Sequence, residues 1–209
     1  MIHEVRTYDV RPHSVPEVER RLEKACEEAI RRSDLVASFH TEIGPLNQVI
    51  QIWSYGDVAE RERVRAGTSE AGAVIGEFVV QERTDDIVPF AISPDIKPGT
   101  VGPFFEVRTY RYADGDVPKI VRAWEAALPA RLALGPLVLV GSSESGGVNT
   151  LLHIWPYRTL DERWELRRTL REAGVWPPLV VARRQGLPEY ELLHMENKIV
   201  VPAAFSPLR

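Results

Sequence analysis

The spacing of apolar residues along the chain predicts the same series of elements twice. Strand-like alternation over residues 2–11 is followed by helical periodicity over 14–32 and by two strand-like runs, 35–43 and 47–55. A second helix is expected after Asp57. The order β-α-β-β-α is thus predicted for the first copy, with a strand to close it.

The remaining elements follow from the same criteria. In the first copy a further helical segment is expected over 69–82 and the closing strand over 87–90. In the second copy the predicted strands lie near 104–112, 136–144, 148–157 and 191–201, and the helices near 116–133 and 159–172. Pro129 is expected to kink or end the first of those helices.

The duplication is also visible in the residues themselves. The shared stretches are Glu4–Tyr8 with Glu106–Tyr110, Asn47–Tyr55 with Asn149–Tyr157, and Glu60-Arg61 with Glu162-Arg163. A period of about 100 residues indicates tandem domains rather than solenoid repeats. We expect one domain over 1–98 and another over 103–209, joined by a Pro/Gly-rich linker.

Composition and charge exclude several classes of protein. With 44% apolar and 27% charged residues, the composition is typical of globular proteins. The net charge of −4 does not indicate the basic surface that nucleic-acid binding requires. No apolar run is long enough to span a bilayer, and no leader pattern is seen, so we expect a cytoplasmic location. The single cysteine, Cys26, excludes an internal disulfide and is expected to be packed.

The predicted elements indicate an α+β architecture. A four-stranded antiparallel sheet with helices on one face leaves the other face to be covered, and a second copy of the sheet is the natural cover. We therefore predict two ferredoxin-like βαββα(β) repeats that form an intramolecular pseudo-dimeric α/β barrel. Two such chains could also associate as a homodimer.

The third strand of each copy carries two distinct sets of side chains. One set is purely apolar and is expected to face the helices: Ile50, Ile52, Leu152 and Ile154. The alternate set mixes aromatic and polar groups and is expected to face the barrel interior as a ligand lining: Asn47, Val49, Gln51, Trp53, Tyr55, Asn149, Leu151, His153, Trp155 and Tyr157. By the same alternation Glu4, Arg6, Tyr8 and Glu106, Arg108, Tyr110 would face the barrel.

These positions supply the candidate chemistry. His153 is a candidate general base because an imidazole titrates near neutral pH, and Arg108 is a candidate anchor for an anion or oxyanion. The candidate ligand-binding residues are Glu106, Tyr110, Asn149, Trp155, Tyr157, Arg6, Gln51 and Trp53. The alternatives are a structural Glu–Arg ion pair and a histidine satisfied by a cross-strand hydrogen bond. No metal-ligand spacing or cofactor motif is present, so neither metal nor cofactor is expected.

The strand motif resembles that of the NIPSNAP family, in which it reads Gly-x-x-Asn-x-Val-x-His-x-Trp-x-Tyr. The second copy matches at Gly146, Asn149, His153, Trp155, Tyr157, Glu162, Arg163 and Ser206-Pro207-Leu208, whereas the first departs at Gln51. The resemblance implies paired ferredoxin-like units in a dimeric α/β barrel. Barrel relatives include cofactor-free quinone-type monooxygenases and haem-degrading enzymes, and eukaryotic members are discussed as mitochondrial adaptors.

Three functions are compatible with these residues. The first is binding of a small organic molecule within the barrel, with a cofactor-independent oxygenase or an acid/base enzyme as its catalytic form. The second is a non-catalytic interaction or scaffold protein, which predicts a filled barrel and an exposed apolar patch near Trp176–Leu179. The third is a haem-binding relative.

Overall fold

The computed structural model describes residues 1–32, 34–67, 71–145 and 149–209. The strands are β1 Ile2–Val10, β2 Leu35–Ile43, β3 Gln48–Tyr55, β4 Val79–Pro89, β5 Phe104–Tyr112, β6 Leu139–Ser145, β7 Thr150–Tyr157 and β8 Leu192–Pro202. The helices are α1 Val15–Arg31, α2 Val58–Gly67, α3 Val117–Leu132, α4 Leu160–Ala173 and α5 Pro178–Arg184, with a short 3-10 helix at Ala71–Ile75.

The eight strands close into one antiparallel barrel. The first half of the chain contributes the order β4-β1-β3-β2 and the second half contributes β8-β5-β7-β6. The halves join at two seams, where β2 pairs with β8 and β4 pairs with β6. The predicted α+β class and the pseudo-dimeric barrel of two ferredoxin-like repeats are confirmed.

Apolar side chains from both halves fill much of the barrel interior. The Phe39 and Phe105 rings meet there with centroids 4.8 Å apart. The buried cluster comprises Val5, Val36, Ala37, Phe39, Ile50, Ile52, Ile87, Phe105, Val107, Val138, Leu139, Leu152, Ile154, Val200 and Leu208. An eight-stranded barrel is just wide enough for its interior side chains to fill it, so this cluster is the common core of the two halves.

The expected orientation of the strands was wrong. Ile50, Ile52, Leu152 and Ile154, expected beneath the helices, lie in the barrel core. The mixed set lies on the outer face under the helices, where Val49, Trp53 and Tyr55 join one cluster and Leu151, Trp155 and Tyr157 join another. Glu4, Arg6, Tyr8, Glu106, Arg108 and Tyr110 share that outer face by alternation. Because both faces of each sheet are buried, the pattern shows two sets without showing which one is inside.

Helices cover the outer face of each sheet. In the first half α1 buries Val18, Leu22, Cys26 and Ala29 against the strands, which confirms that the thiol is packed. In the second half α3 buries a row of residues that includes Trp124, and α5 packs against it. The outer faces are therefore buried layers of their own.

The repeated motifs have structural roles at the ends of elements. Asn47 and Asn149 adopt left-handed backbone conformations, with φ of 58° and 57°. Their carbonyls accept hydrogen bonds from Val10 and Tyr112 at the ends of β1 and β5. Asparagine tolerates this region better than most residues, which explains its repetition at the start of the third strand.

Two local expectations differ from the structure. The segment expected to be helical over 69–82, which begins outside the described residues, contains a short 3-10 helix and then β4 from Val79, eight residues before the strand predicted there. Pro129 does not end α3, which continues to Leu132. At the start of α1, Ser14 occupies the N-cap position, but its hydroxyl donates to the Arg11 carbonyl instead of capping the helix.

A search of the described helices finds none with the length and hydrophobicity required to span a bilayer.

The β4–β6 seam offers a direct test of barrel closure. A Cβ at Gly141 would lie 2.5 Å from the Val88 carbonyl oxygen and 2.9 Å from Pro89 Cα, so the two strands would have to separate. We predict that Gly141→Ala lowers the free energy of unfolding by about 1–3 kcal/mol, the usual cost of overpacking. The control is Gly76→Ala, whose nearest contact would be an ordinary 3.6 Å. Equal urea midpoints for the two variants would contradict a tight seam.

Candidate functional site

A cavity of about 320 Å3 lies outside the barrel, between the second-half sheet and its helices. Strands β5, β7 and β8 form its floor, α3 and α4 form its sides, and the segment that leads into α5 covers it. It is lined by Arg108, Tyr110, Tyr112, Trp124, His153, Arg167, Arg171, Trp176, Pro177, Pro178, Leu179, Tyr190, Leu192 and Met195. An aromatic wall with a few polar groups is typical of small-molecule sites.

His153 lies on the floor of this cavity. It faces Arg108 across the β5–β7 pair and is only 1% exposed. The Tyr110 ring meets it edge-on at 5.0 Å between centroids, and the Trp124 ring does so at 4.9 Å. Two aromatic rings and the sheet therefore fix the orientation of the imidazole.

A hydrogen bond from Trp155 determines the tautomer of His153. The indole Nε1–H of Trp155 donates to Nδ1 of His153 at 2.6 Å. Because an indole nitrogen can only donate, Nδ1 is the unprotonated nitrogen and the neutral ring carries its proton on Nε2. Nε2 is buried, and no described residue offers it a partner. The ring therefore has one unused donor beside the cavity.

The surroundings keep this imidazole neutral. Burial lowers the pKa of His153 well below its ordinary value of 6.5, and the positive charges of Arg108, Arg131 and Arg167 lower it further. Trp155 is held in turn by Arg131, whose guanidinium lies 3.9 Å from the indole centroid. At neutral pH the site therefore contains an uncharged N–H donor surrounded by cations.

Arginines outnumber carboxylates around the cavity. Glu106 Oε1 lies 2.5 Å from Arg163 Nη2, but 3.8 Å from Arg108 Nε and 3.9 Å from Arg167 Nη1. The Nε of Arg108 has no hydrogen-bond acceptor among the described residues, and its guanidinium lies 5.1 Å from the Tyr110 ring. Burial and the neighbouring Arg108 lower the pKa of Arg167. The Glu106 carboxylate thus lies near three guanidinium groups, those of Arg108, Arg163 and Arg167. Their combined charge exceeds that of the carboxylate, so positive charge remains to attract a ligand.

The segment in which the scaffold hypothesis predicts an exposed apolar patch, residues 176–179, is part of the cavity wall. Trp176 packs edge-on against Trp124 and Trp155, with centroid distances of 5.0 and 5.7 Å. Pro178 is buried, Trp176 and Leu179 are half-buried, and Pro177 is exposed. This segment therefore covers the outer sheet with one side and presents only part of its apolar surface to solvent.

Comparisons with known proteins agree with the repeated motif. A family model described as NIPSNAP matches residues 3–94 and 105–207. The chain belongs to the NIPSNAP family. It is 26% identical to human "Protein NipSnap homolog 3A" over 221 residues, covering 100% of this chain and 86% of that protein. It is 23% identical to the "Protein NipSnap homolog" of Dictyostelium discoideum over 205 residues, covering 96% of this chain and 87% of the relative.

A solved structure supports the fold. The putative monooxygenase from Lactobacillus acidophilus superposes with a TM-score of 0.69 at 14% identity, covering 97% of this chain and 94% of that one. At this identity the likeness shows the architecture alone. The chemistry of this NIPSNAP chain has to be argued from its own residues.

The structure brings together only some of the predicted site residues. His153, Arg108 and Tyr110 line the cavity. Trp155 donates a hydrogen bond to His153, and Glu106 Oε1 lies 3.8 Å from Arg108 Nε. Tyr157 belongs to the buried cluster under α3, and Asn149 donates to Asp114 at a turn. The predicted residues of the first copy, Arg6, Gln51 and Trp53, lie in the other half of the barrel.

The outer face of the first half is arranged differently. Gln51, the counterpart of His153, donates to Cys26 Sγ at 3.5 Å. Leu22 stands where the second half has Trp124, and Tyr8 and Ile75 are fully buried in the same cluster. Glu4 is paired with Arg6 and lies 2.9 Å from Arg65. Side chains of this NIPSNAP repeat therefore fill space that its second copy leaves as a cavity.

Sequence reasoning missed most of the cavity wall. The missed residues are Tyr112, Trp124, Arg167, Arg171, Trp176, Pro177, Pro178, Leu179, Tyr190, Leu192 and Met195. Two signals could have found part of it, namely Trp124 in place of Leu22 and the insertion around 176–189, which the first copy lacks. Across the described ranges, no three His, Cys, Asp or Glu side chains come together as a metal site would require.

The tautomer of His153 can be measured directly. We predict that nitrogen-detected NMR shows His153 as the neutral Nε2–H form from pH 8 to well below 6.5, because burial and the neighbouring guanidiniums lower its pKa. Since the unfolded chain binds this proton more readily, the stability His153 contributes is complete above pH ~6.5 and is lost as pH falls below it.

A matched variant isolates the role of the indole in this prediction. Trp155→Phe removes the hydrogen bond to Nδ1, so the imidazole should then populate both tautomers. Exposed His194 serves as the internal reference in the same spectra. A proton on Nδ1 in the unsubstituted chain would contradict the assignment.

Proposed function

We propose that this NIPSNAP protein binds a small, planar organic molecule in the cavity of its second half. The observation that carries the proposal is the buried Nε2–H of His153, which lacks a partner among the described residues and lies on the floor of that cavity. A buried donor left unpaired costs about 1–3 kcal/mol, so a ligand that accepts its hydrogen bond recovers this energy on binding.

The walls and charges suggest the class of ligand. The rings of Tyr110, Trp124 and Trp176 provide flat apolar surfaces suited to an aromatic or conjugated body. Arg108, Arg167 and Arg171 provide positive charge on one side. An aromatic molecule with a carboxylate, phenolate or quinone-type oxygen therefore fits, with its oxygen on His153 Nε2 and Arg108.

The same geometry bears on a catalytic form of the hypothesis. A general base needs a free lone pair, whereas Nδ1 of His153 accepts from Trp155 and Nε2 carries the proton. We therefore assign His153 the role of a neutral hydrogen-bond donor to a carbonyl or developing oxyanion. In a cofactor-independent oxygenase this role would stabilise the enolate or phenolate form of the substrate, with Arg108 adding positive charge.

The donor set does not fit haem or another metal. Coordination through Nε2 would require the proton to move to Nδ1, where it would meet the Trp155 N–H. The three arginine side chains on the cavity wall also oppose a bound cation. His153 is therefore unsuited to be an axial ligand for haem in this arrangement.

One surface feature favours the rival function of a scaffold. Trp164 on α4 is 65% exposed, and Leu160, one turn earlier, is 41% exposed. Exposed aromatic residues are common in protein interfaces. Arg167 and Arg171, which line the cavity, lie three and seven residues after Trp164 on the same helix, so this surface adjoins the cavity.

Binding of an aromatic anion tests the proposal. We predict that 2-naphthoate quenches the tryptophan fluorescence of the protein and that binding weakens by about tenfold to a hundredfold in Arg108→Met and in His153→Phe. Each substitution removes a hydrogen bond to a charged oxygen, worth about 1.5–3 kcal/mol. The measurement is a titration followed by fluorescence and checked by calorimetry.

Two controls separate binding from folding. Arg122→Met removes an exposed arginine of α3 that is not among the described residues lining the cavity, so it should leave the affinity for 2-naphthoate unchanged. The neutral analogue 2-methylnaphthalene should bind more weakly than 2-naphthoate and be insensitive to Arg108→Met. Failure of 2-naphthoate to bind, or affinities equal in all variants, would contradict the proposed site.

A further inference from the structure

A second cavity lies inside the barrel, at the end of the lumen opposite the phenylalanine pair. Its volume is about 170 Å3, and it adjoins a space of about 220 Å3 that shares Arg83, Thr109 and Lys198 with it. Interior positions become polar here, with Thr7 and Thr109 beyond the apolar core. This cavity lies on the other side of the sheet from His153.

Lys198 is the nucleophilic group in this cavity. Lys198 lies two residues before Val200 on β8, so by strand alternation its side chain points into the barrel as that of Val200 does. The stem of the lysine packs beneath the β2–β3 turn, where its Cβ would lie 3.0 Å from a Cβ added at Gly44. Its Nζ donates to Gln48 Oε1 at 2.8 Å. No carboxylate in the described part of the chain forms an ion pair with it, so its charge is held by a neutral amide alone.

Charged groups from four strands surround the lysine. Those that line the cavity are Arg83 and Asp85 on β4, Arg111 on β5, and His194 and Glu196 on β8, with Asp9 on β1 bonded to Gln48. Arg83 pairs with Asp85 at 3.1 Å and His194 with Glu196 at 3.0 Å. Two cations, Arg111 and Lys198, therefore lack an ion-pair partner among the described residues.

The environment also makes the amine available at moderate pH. Burial, followed by the charge of Arg83, lowers the pKa of Lys198 to about 8, against the opposing influence of Asp9, Glu196 and Asp85. A lysine is a nucleophile only when it is neutral, and partial burial is how proteins obtain that form near physiological pH.

We propose that Lys198 forms a reversible imine with a small oxo acid bound in the barrel lumen. The Nζ lone pair attacks the carbonyl carbon, forming a C–N bond while the carbonyl π pair moves to oxygen and is protonated. The carbinolamine then loses this hydroxyl as water, and the nitrogen gives up a proton, so no oxidant or reductant is required. The positive charge of Arg111, at the mouth of the same cavity, would hold the carboxylate.

Reductive trapping tests this inference. The full chain is incubated with glyoxylate and cyanoborohydride and is analysed by peptide mass spectrometry. Because the chain has only four lysines, each can be followed separately, and the α-amino group is followed on its own peptide. We expect Lys198 to be labelled at least tenfold faster than Lys24, Lys97 and Lys119. Equal labelling of the four, or labelling of the others alone, would overturn the proposal.

Variants and pH distinguish a specific amine from an accessible one. Labelling of Lys198 should reach half its maximal rate near pH 8, whereas ordinary lysines do so near ~10.4. Arg83→Met should move the Lys198 profile to higher pH, because it removes a charge that lowers that pKa. Lys198→Arg should abolish the lumen label and leave the other three unchanged, with thermal unfolding confirming that the variant is folded.

A neutral aldehyde tests the oxo-acid part of the inference. Propionaldehyde should label Lys198 several-fold more slowly than glyoxylate, and Arg111→Met should remove that difference. Equal rates for the two probes in the unsubstituted chain would overturn the oxo-acid class. Since none of these measurements involves His153 or Arg108, their outcome is separate from that of the binding proposal.

Discussion

Closure of the barrel is the constraint on which the rest of the structure depends. Eight strands leave an interior that side chains fill for much of its length, and both halves supply apolar residues to it, with Phe39 meeting Phe105 in the apolar core. The alternate side chains of the strands must then point outward, and the helices bury those of the first and third strands of each half. The polar and aromatic residues of the repeated motif are therefore located between sheet and helix, and this layer contains the candidate site.

The two halves use this outer layer differently. In the first half, Leu22, Tyr8 and Ile75 fill it, and Gln51 bonds to the nearby Cys26. In the second half, larger rings on α3 and in the segment before α5 surround an open space above His153. The two halves share the same framework, and Asn47 and Asn149 adopt the same left-handed conformation at equivalent turns.

The sequence was sufficient to predict most of the framework. Most of the strand and helix order and the barrel followed from periodicity and repetition, and the candidate residues His153 and Arg108 line one cavity. Which face was inside could not be predicted, because each sheet is buried on both faces and alternation is symmetrical between them. The role of His153 was equally hidden, since the hydrogen bond from Trp155, two residues away on the same strand, becomes visible only when both rings are placed. The cavity wall depends on Trp176, whose position is set by tertiary packing.

We propose that the second half of the chain binds an oxygen-bearing aromatic molecule between its sheet and helices through the Nε2–H of His153. The decisive measurement is a crystal structure of the protein soaked with 2-naphthoate. We expect density for the ligand among Tyr110, Trp124 and Trp176, with a carboxylate oxygen about 2.7–3.2 Å from His153 Nε2. Density confined to the barrel lumen, or a cavity filled by repacked side chains with no ligand, would contradict it.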